Sequence, residues 1–174
     1  MAVANTKSTS VTNADNTGTA SHAFSAALRT GYEPRTAMET AAVLAADDDT
    51  SVYRFFRVRS DAIITSIEVY NDAITSGTDY DFGVYQTAGN GGAVVDADLF
   101  ADGVDMSSAR VTPLQVRFND TATAKIEEFT KPLWQLLGLS ADPKRDYDLC
   151  WTANTVGSAA GDITTKIEMY LPGA

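Results

Sequence analysis

The chain has 174 residues, 44% of them hydrophobic and 21% charged, which is the size and composition of one folded domain. Its formal charge of −10, without a basic stripe, excludes a nucleic-acid binder that neutralises phosphates. The apolar runs are only a few residues long, and the first residues lack the pattern of a secretory signal, so we expect neither a membrane segment nor a cleaved leader.

The N-terminal stretch is rich in Ser, Thr, Asn and Ala and shows no sustained hydrophobic period. Such a segment cannot build a core of its own. Lys7 and Arg29 against Asp15 give it a net charge of +1, which leaves −11 on the remainder. We predict an extended arm over residues 1–31 and a folded body over residues 32–174; a disordered tail is the alternative. About 25 extended residues reach tens of ångströms, enough to cross onto a neighbouring protein.

Short β-like segments separated by turn residues follow the arm. A weak strand in TAMETAAVL stops at the acidic run 47–49. In SVYRFFRVRS, Tyr53 and Phe55 share one face and Phe56 and Val58 the other, so we expect a strand with both faces partly covered.

The next two segments alternate more regularly. AIITSIEVYND predicts a strand with one buried and one solvated face, and TDYDFGVYQT predicts a second strand that ends at the turn TAGNGG, where Asn and Gly allow positive φ angles. The predicted core faces hold Ile63, Thr65, Ile67 and Val69 in the first strand and Tyr80, Phe82 and Val84 in the second.

The last third of the chain combines strands with one helix. Pro113 in ARVTPLQVRF lacks a backbone donor and favours an edge strand or a bulge. In KPLWQLLGLS, Pro132 at the start, leucines at helical spacing and Gly138 at the end predict a short helix, which we expect to close one end of the core with Trp134. The two final strands would bury Tyr147, Leu149, Trp151 and Ala153, and Ile163, Thr165, Ile167, Met169 and Leu171.

Together these elements predict an all-β fold, a two-sheet antiparallel sandwich of jelly-roll-like connectivity, with one short helix and an extended N-terminal arm.

Residues for catalysis are scarce. His22 is the only histidine and Cys150 the only cysteine, so neither a Ser-His-Asp triad nor an internal disulfide is expected. Cys150 alternates with strand residues and is interpreted as a small packed side chain. The many carboxylates single out no glycosidase pair. We therefore predict no enzymatic activity and no cofactor.

The acidic residues and the tyrosines each leave an alternative interpretation open. We interpret Asp96, Asp98, Asp102 and Asp105 as a solvated acidic loop with helix-capping aspartates; a calcium site is the alternative, as it is for the run 47–49, and we assign no metal ligands. Tyr32, Tyr53, Tyr70, Tyr85 and Tyr170 are interpreted as core or interface residues rather than a sugar-stacking platform.

Two segments stand out for their motifs: GVYQTAGNGGAVVDADLFADGVDM, at Gly83–Met106, and KPLWQLLGLSADPKRDYDLCW, at Lys131–Trp151. Together they resemble a family of small tailed-bacteriophage virion proteins. The resemblance covers roughly Ser51–Leu171.

This resemblance implies a non-enzymatic virion structural protein, and we favour a capsid decoration or cement protein on the outer surface of the capsid. Its partners would be the major capsid protein and further copies of itself, with a trimer favoured, and neither nucleic acid nor a membrane. The arm would contact capsid subunits through Val11, Phe24 and Leu28. A head-fibre or tail module that binds a host receptor or glycan is the alternative.

Overall fold

The structure is a computed structural model that describes residues 34–119 and 122–172. These residues form eight β-strands, short 3-10 helices at Ala88–Asn90 and Ile126–Glu128, and one α-helix, α1, at Leu133–Leu136. The strands are β1 (Arg35–Val43), β2 (Ser51–Arg59), β3 (Ile63–Asn71), β4 (Asp79–Gln86), β5 (Val94–Val104), β6 (Arg110–Gln115), β7 (Asp146–Thr155) and β8 (Gly161–Tyr170).

The strands form two four-stranded antiparallel sheets, with orders β1-β8-β3-β6 and β2-β7-β4-β5. The first strand pairs with the last, β2 with β7, β3 with β6 and β4 with β5, as in one long ribbon folded back on itself. Pairing of β3 with β8 and of β4 with β7 completes each sheet. This nested order confirms the predicted jelly-roll sandwich. The predicted arm, residues 1–31, lies outside the described residues, and its boundary with the body stays a prediction.

The core lies between the two sheets and is filled from the strands that alternate most regularly. Tyr80, Phe82 and Val84 are fully buried, as predicted. The rings of Phe82 and Trp151 lie 4.8 Å apart, and Trp151 Nε1 donates a hydrogen bond of 2.8 Å to Thr165 Oγ1 in the opposite sheet. This bond pairs the buried indole N–H of Trp151 with the buried hydroxyl of Thr165. The large ring can therefore fill the core without leaving an unpaired donor there.

A β-bulge in β2 changes which residues face the core. The register with β7 shifts between Arg54 and Phe56, which makes Phe55 an extra residue. Tyr53, before the bulge, and Phe55, in it, pack against the core, and Phe56 and Val58, which follow the bulge, are buried in the same core. The prediction that these four residues divide between two opposite faces is therefore wrong, since the bulge restarts the alternation.

A second β-bulge occurs in β3, whose register with β8 shifts between Ile64 and Ser66. Ile67 and Val69 are buried as predicted, whereas Ile64 is fully buried in place of Ile63. One inserted residue moves every preceding side chain to the other face of the strand, and regular alternation cannot reveal it.

Turns and edges follow the predictions more closely. Gly91 and Gly92 both adopt positive φ, 95° and 68°, in the reversal between β4 and β5. The strand β6, which carries Pro113, lies at the edge of its sheet, and its ladder with β3 shifts register between Leu114 and Arg110, the stretch that contains Pro113.

Helix α1 begins after Pro132, as predicted, and Gly138 follows it at φ 68°. Its first backbone N–H groups reach the turn between β2 and β3: Leu133 N donates to Ala62 O over 2.8 Å. Leu133 is fully buried, whereas Trp134 is only partly buried, so Leu133 and not Trp134 closes this end of the core. In the described part of the chain, no helix has the length and apolar character needed to cross a membrane.

Candidate interaction surfaces and acidic clusters

The residues predicted to contact the capsid, Val11, Phe24 and Leu28, lie outside the described residues, as does His22. Their roles stay predictions.

The acidic segment VVDADLFADGV forms strand β5, and the prediction of a solvated loop is wrong for it. Its ladder with β4 is irregular: Asp96 pairs with Val84, and the next pair joins Ala101 to Phe82, so residues 97–100 bulge out of the ladder. Leu99 and Phe100 in this bulge are fully buried. These two apolar anchors hold the segment against the core despite its charge.

The fold also separates the four aspartates. Asp102 comes together with Asp79 and Asp81 of β4, with one carboxylate oxygen of each within 4.8 Å of the others. Asp81 Oδ1 accepts a hydrogen bond from Gly103 N, and Oδ2 accepts one from Asn154 Nδ2. Burial raises the pKa of Asp81. Because both oxygens of Asp81 are held by donors of the protein, the cluster has a structural explanation that requires no cation.

Asp96 and Asp98 form a second carboxyl pair. Burial, followed by the hydrogen bond and charge of Asp98, raises the pKa of Asp96 to about 6. Two neighbouring carboxylates repel each other, so the pair holds a proton at a pH where an isolated aspartate is ionised.

The acidic run 47–49 forms the turn between β1 and β2. Asp47 Oδ2 accepts hydrogen bonds from Leu44 N over 2.9 Å and from the Tyr53 hydroxyl over 2.8 Å. The bond from Leu44 N makes the larger contribution to lowering the pKa of Asp47. Asp49 Oδ1 accepts from Val156 N. These carboxylates bind backbone donors, which is the usual role of aspartate in turns.

The described tyrosines form no common platform. Tyr53 is partly buried with its hydroxyl on Asp47, and Tyr85 is buried with its hydroxyl 2.6 Å from Thr152 Oγ1. Tyr70 and Tyr170 lie at opposite ends of the ladder between β3 and β8. Tyr32 lies outside the described residues. These four tyrosines therefore offer no shared flat surface for a sugar ring.

Cys150 is fully buried, as the packed-residue interpretation predicts. Burial raises the pKa of its thiol to about 12. The reactive thiolate is therefore almost absent at neutral pH.

A buried aspartate and two arginines that remain accessible to solvent join β2 to β7 on the outer face of their sheet. The buried Asp148 accepts hydrogen bonds from Arg54 Nη1 over 3.0 Å and from Arg57 Nε over 2.8 Å. The guanidinium of Arg54 also lies over the ring of Tyr85, 5.5 Å from its centre. The three charged residues come from strands about ninety positions apart in sequence, so sequence spacing gives no signal for this cluster.

Arg117, in the segment after β6, is fully buried. Its Nε donates to Ile64 O over 2.8 Å, and its guanidinium lies between the rings of Phe100 and Phe118, at 4.8 Å and 4.3 Å from their centres. Among the described residues, Nη1 and Nη2 have no hydrogen-bond partner. Burial lowers the pKa of Arg117 to about 10, which leaves the side chain cationic at neutral pH. Sequence reasoning missed this residue, because a lone arginine after a strand is usually solvated.

An apolar surface lies beside Arg117. The ring of Phe118 contacts that of Phe129, with centres 5.6 Å apart. Phe129 is 41% exposed and Ile126, three residues before it, is 73% exposed. Exposed apolar side chains of this kind suit a protein contact, and no residue in the described ranges covers them.

A cleft of about 460 Å³ lies at the end of the sandwich near α1. It carries three cationic and three acidic side chains, so neither sign of charge dominates. Its lining residues are Arg59, Ser60, Asp61, Asp142, Lys144, Arg145 and Asp146.

Comparison with known proteins gives structural similarity without sequence similarity. The sequence matches no protein-family model and no curated protein. Among solved structures, the capsid of Ralstonia phage GP4 contains a similar chain, with a TM-score of 0.56 and 11% identity over 82% of this chain and 86% of that one. At this identity the similarity shows the fold alone.

Two further solved structures are less similar. The capsid asymmetric unit of cyanophage Pam1 gives a TM-score of 0.48 at 12% identity, over 80% of this chain and 86% of that one. The Gx strain of infectious bursal disease virus gives 0.37 at 16% identity, over 80% of this chain and 32% of that one. Neither is similar enough to support a functional conclusion.

Proposed function

We propose that this chain is a non-enzymatic structural protein of a phage virion, a decoration or cement protein that binds the outer surface of the capsid. The main support is the jelly-roll fold, which is similar to a chain of the Ralstonia phage GP4 capsid in a match that covers 82% of this chain. The two sequence segments that resemble tailed-phage virion proteins point the same way, and they form much of β4, β5, α1 and β7.

The charge distribution supports an external position. The body carries −11 of the total charge, whereas residues 1–31 carry +1. A strongly acidic body facing the packaged DNA would meet like charge, and on the outer surface it would not. The nearly neutral arm can lie against another protein at little desolvation cost.

In this proposal the arm attaches the protein. It contacts the major capsid protein through main-chain hydrogen bonds and through the apolar anchors Val11, Phe24 and Leu28. A homo-oligomer, with a trimer favoured, would present several arms at once and strengthen attachment by avidity.

The chemistry of the body supports a role without catalysis. Cys150 is buried with a raised pKa, and the acidic clusters at Asp81 and Asp47 hold hydrogen bonds from the protein itself. The described tyrosines do not meet on one surface, so no specific observation favours the receptor- or glycan-binding alternative.

The experiment measures binding of the full-length protein to capsids that lack it, by co-sedimentation over a range of concentrations. A variant with Val11, Phe24 and Leu28 all changed to serine should bind at least about tenfold more weakly, since apolar anchors carry most of such an interface. Val3→Ser serves as the matched control in the same arm and should bind normally. Removal of residues 1–31 should abolish binding and leave the thermal midpoint of the body nearly unchanged.

Binding of the triple-serine variant with wild-type affinity would contradict attachment through these anchors. If the truncated protein also bound normally, the body and not the arm would make the attachment. If the full-length protein failed to bind capsids at all, the decoration role itself would be wrong.

A further inference from the structure

Strand β1 has an open hydrogen-bonding edge. It lies at the end of the order β1-β8-β3-β6, and no strand in the described part of the chain pairs with its other side. All nine of its residues, Arg35–Val43, pair with β8 in one unbroken register. It contains no proline, and most of its residues are exposed. A long, regular, open edge accepts another strand unless something prevents it.

The other three edges carry features that discourage strand addition. Pro113 interrupts the donors of β6, and β2 has a bulge at Phe55 and exposed side chains at Arg54, Arg57 and Arg59. The ladder of β5 is broken at several points. Bulges, prolines and charges are the means by which natural proteins protect sheet edges. Among the four edges of the described sheets, β1 alone has neither a proline nor a break in its ladder.

Strand β1 has two charged residues, Arg35 and Glu39. They lie four positions apart, so they share one face of the strand. Both are exposed, and no described residue forms a salt bridge with either. Ala37 lies midway between them on the same face.

We propose that β1 pairs with β1 of a second copy of this chain, antiparallel and about a two-fold axis at Ala37. In this register Arg35 of each copy lies directly opposite Glu39 of the other, and the two Ala37 residues face each other. The sheet that contains β1 in one copy and the same sheet in the other copy then become one continuous sheet of eight strands. The contact is isologous, as most two-fold interfaces are.

The charges of Arg35 and Glu39 favour a second copy of the chain as the partner of β1 and favour one pairing register. A two-fold axis at Arg35 or at Glu39 would place like charges opposite each other, which is unfavourable across a strand pair. The axis at Ala37 makes two unlike pairs, and the small side chain at the axis avoids a clash. Because its two opposite charges lie at equal distances from Ala37, β1 is complementary to a second copy of itself. An unrelated strand would carry matching charges at these positions only by chance.

The proposal does not rest on the capsid role, because it concerns two copies of this chain in solution. If the protein is an oligomer through another surface, pairing of β1 joins such oligomers to one another and raises the mass at least twofold. On a particle it would link neighbouring copies.

The first test uses charge reversal in the full-length protein, with mass measured by sedimentation at rising concentration. Wild type should show a reversible doubling of mass. Arg35→Glu and Glu39→Arg should each weaken this step by about tenfold, because each creates two like-charge pairs. The double variant, Arg35→Glu with Glu39→Arg, restores both unlike pairs and should associate like wild type.

The second test fixes the register by disulfide formation. Residues directly opposite in an antiparallel pair have Cα atoms about 4.5 to 5.5 Å apart, within reach of a disulfide. Ala37→Cys should therefore cross-link two copies under mild oxidation. Ala42→Cys is the matched control, since the two residues 42 would be about 30 Å apart in this register. Cys150 is buried and should not interfere.

Three results would overturn the proposal: no doubling of mass in wild type, single reversals that leave the association unchanged, or equal cross-linking at residues 37 and 42. Any of these would show that β1 does not pair with its own copy in this register, and residues 1–33 or another protein would then be the occupants to test. Loss of the capsid binding described above would leave these measurements unaffected.

Discussion

Gly83 of β4 lies directly against Ala97 of β5: a Cβ atom at position 83 would stand 2.3 Å from the Ala97 carbonyl oxygen and carbon. Asp96 O would be closer still, at 2.1 Å. All three atoms belong to the backbone, so no side chain can rotate away to make room. The backbone of β5 can therefore approach β4 this closely, at the start of its bulge, only because Gly83 has no side chain.

We expect Gly83→Ala to destabilise the body by about 3 kcal/mol or more, because the backbone of β5 would have to move off the sheet. Gly89→Ala is the control, since the nearest atom to its added Cβ is 4.0 Å away, and its effect should stay within about 0.5 kcal/mol. Urea unfolding measures both. Equal stability of the two variants would show that β5 adapts to the added methyl group.

Asp96 predicts a pH dependence of stability. Its folded pKa of about 6 exceeds the value of about 3.9 for an unfolded aspartate. Between these values the folded state binds more protons, so this group's contribution to stability falls as pH rises from about 4 to about 6. Asp96→Asn removes that loss. Its thermal midpoint should match wild type near pH 4 and exceed it at pH 7; a difference that is constant across this range would contradict the assignment.

The cluster of Asp79, Asp81 and Asp102 predicts little dependence on divalent metal. Both oxygens of Asp81 already accept hydrogen bonds from the protein, so excess chelator should leave the thermal midpoint within about 1 °C of its starting value. A cation bound at a hundredfold excess over its Kd would contribute about 2.7 kcal/mol. A fall of several degrees that calcium reverses, and magnesium does not, would establish a calcium site.

The planar guanidinium of Arg117 is predicted to stabilise the segment after β6. A lysine cannot lie flat between two rings and also donate sideways to Ile64 O, so Arg117→Lys should cost about 1 to 3 kcal/mol of unfolding free energy. Arg59→Lys is the control, because Arg59 is exposed and should contribute less than about 0.5 kcal/mol. If both substitutions had the same small effect, the stacking of Arg117 would contribute nothing to stability.

The thiol of Cys150 should be inert in the folded protein. With the pKa raised to about 12 by burial, a thiol reagent at pH 8 should modify the native protein very slowly and the unfolded protein rapidly, since the thiolate is the reacting form. Rapid labelling of the native protein would show that β7 opens locally.

Regular alternation predicted the elements of β4, β7 and β8, and turn residues predicted the reversal at Gly91. The same reasoning failed at Phe55 in β2 and at Thr65 in β3. A bulge is an extra residue in one strand relative to its partner. It is a property of the pair, and neither strand shows it alone.

The acidic segment illustrates a second limit. The aspartates of β5 indicated a solvated loop, although Leu99 and Phe100, two large apolar residues that are fully buried in the fold, lie among them. The candidate sites depend even more on the fold: Asp102 meets Asp79 and Asp81, and Asp148 meets Arg54 and Arg57, only after the strands pair.

Side-chain alternation and turn chemistry act over a few residues, so the amino-acid sequence was enough to predict a β-sandwich with one short helix. The sequence also shows which charged and apolar residues are available for contact. The folded structure was needed to find the strand order, the bulges, the buried position of Arg117 and the open edge at β1. These depend on pairing between residues far apart in the chain, where the free energy comes from the assembled core and not from any one segment.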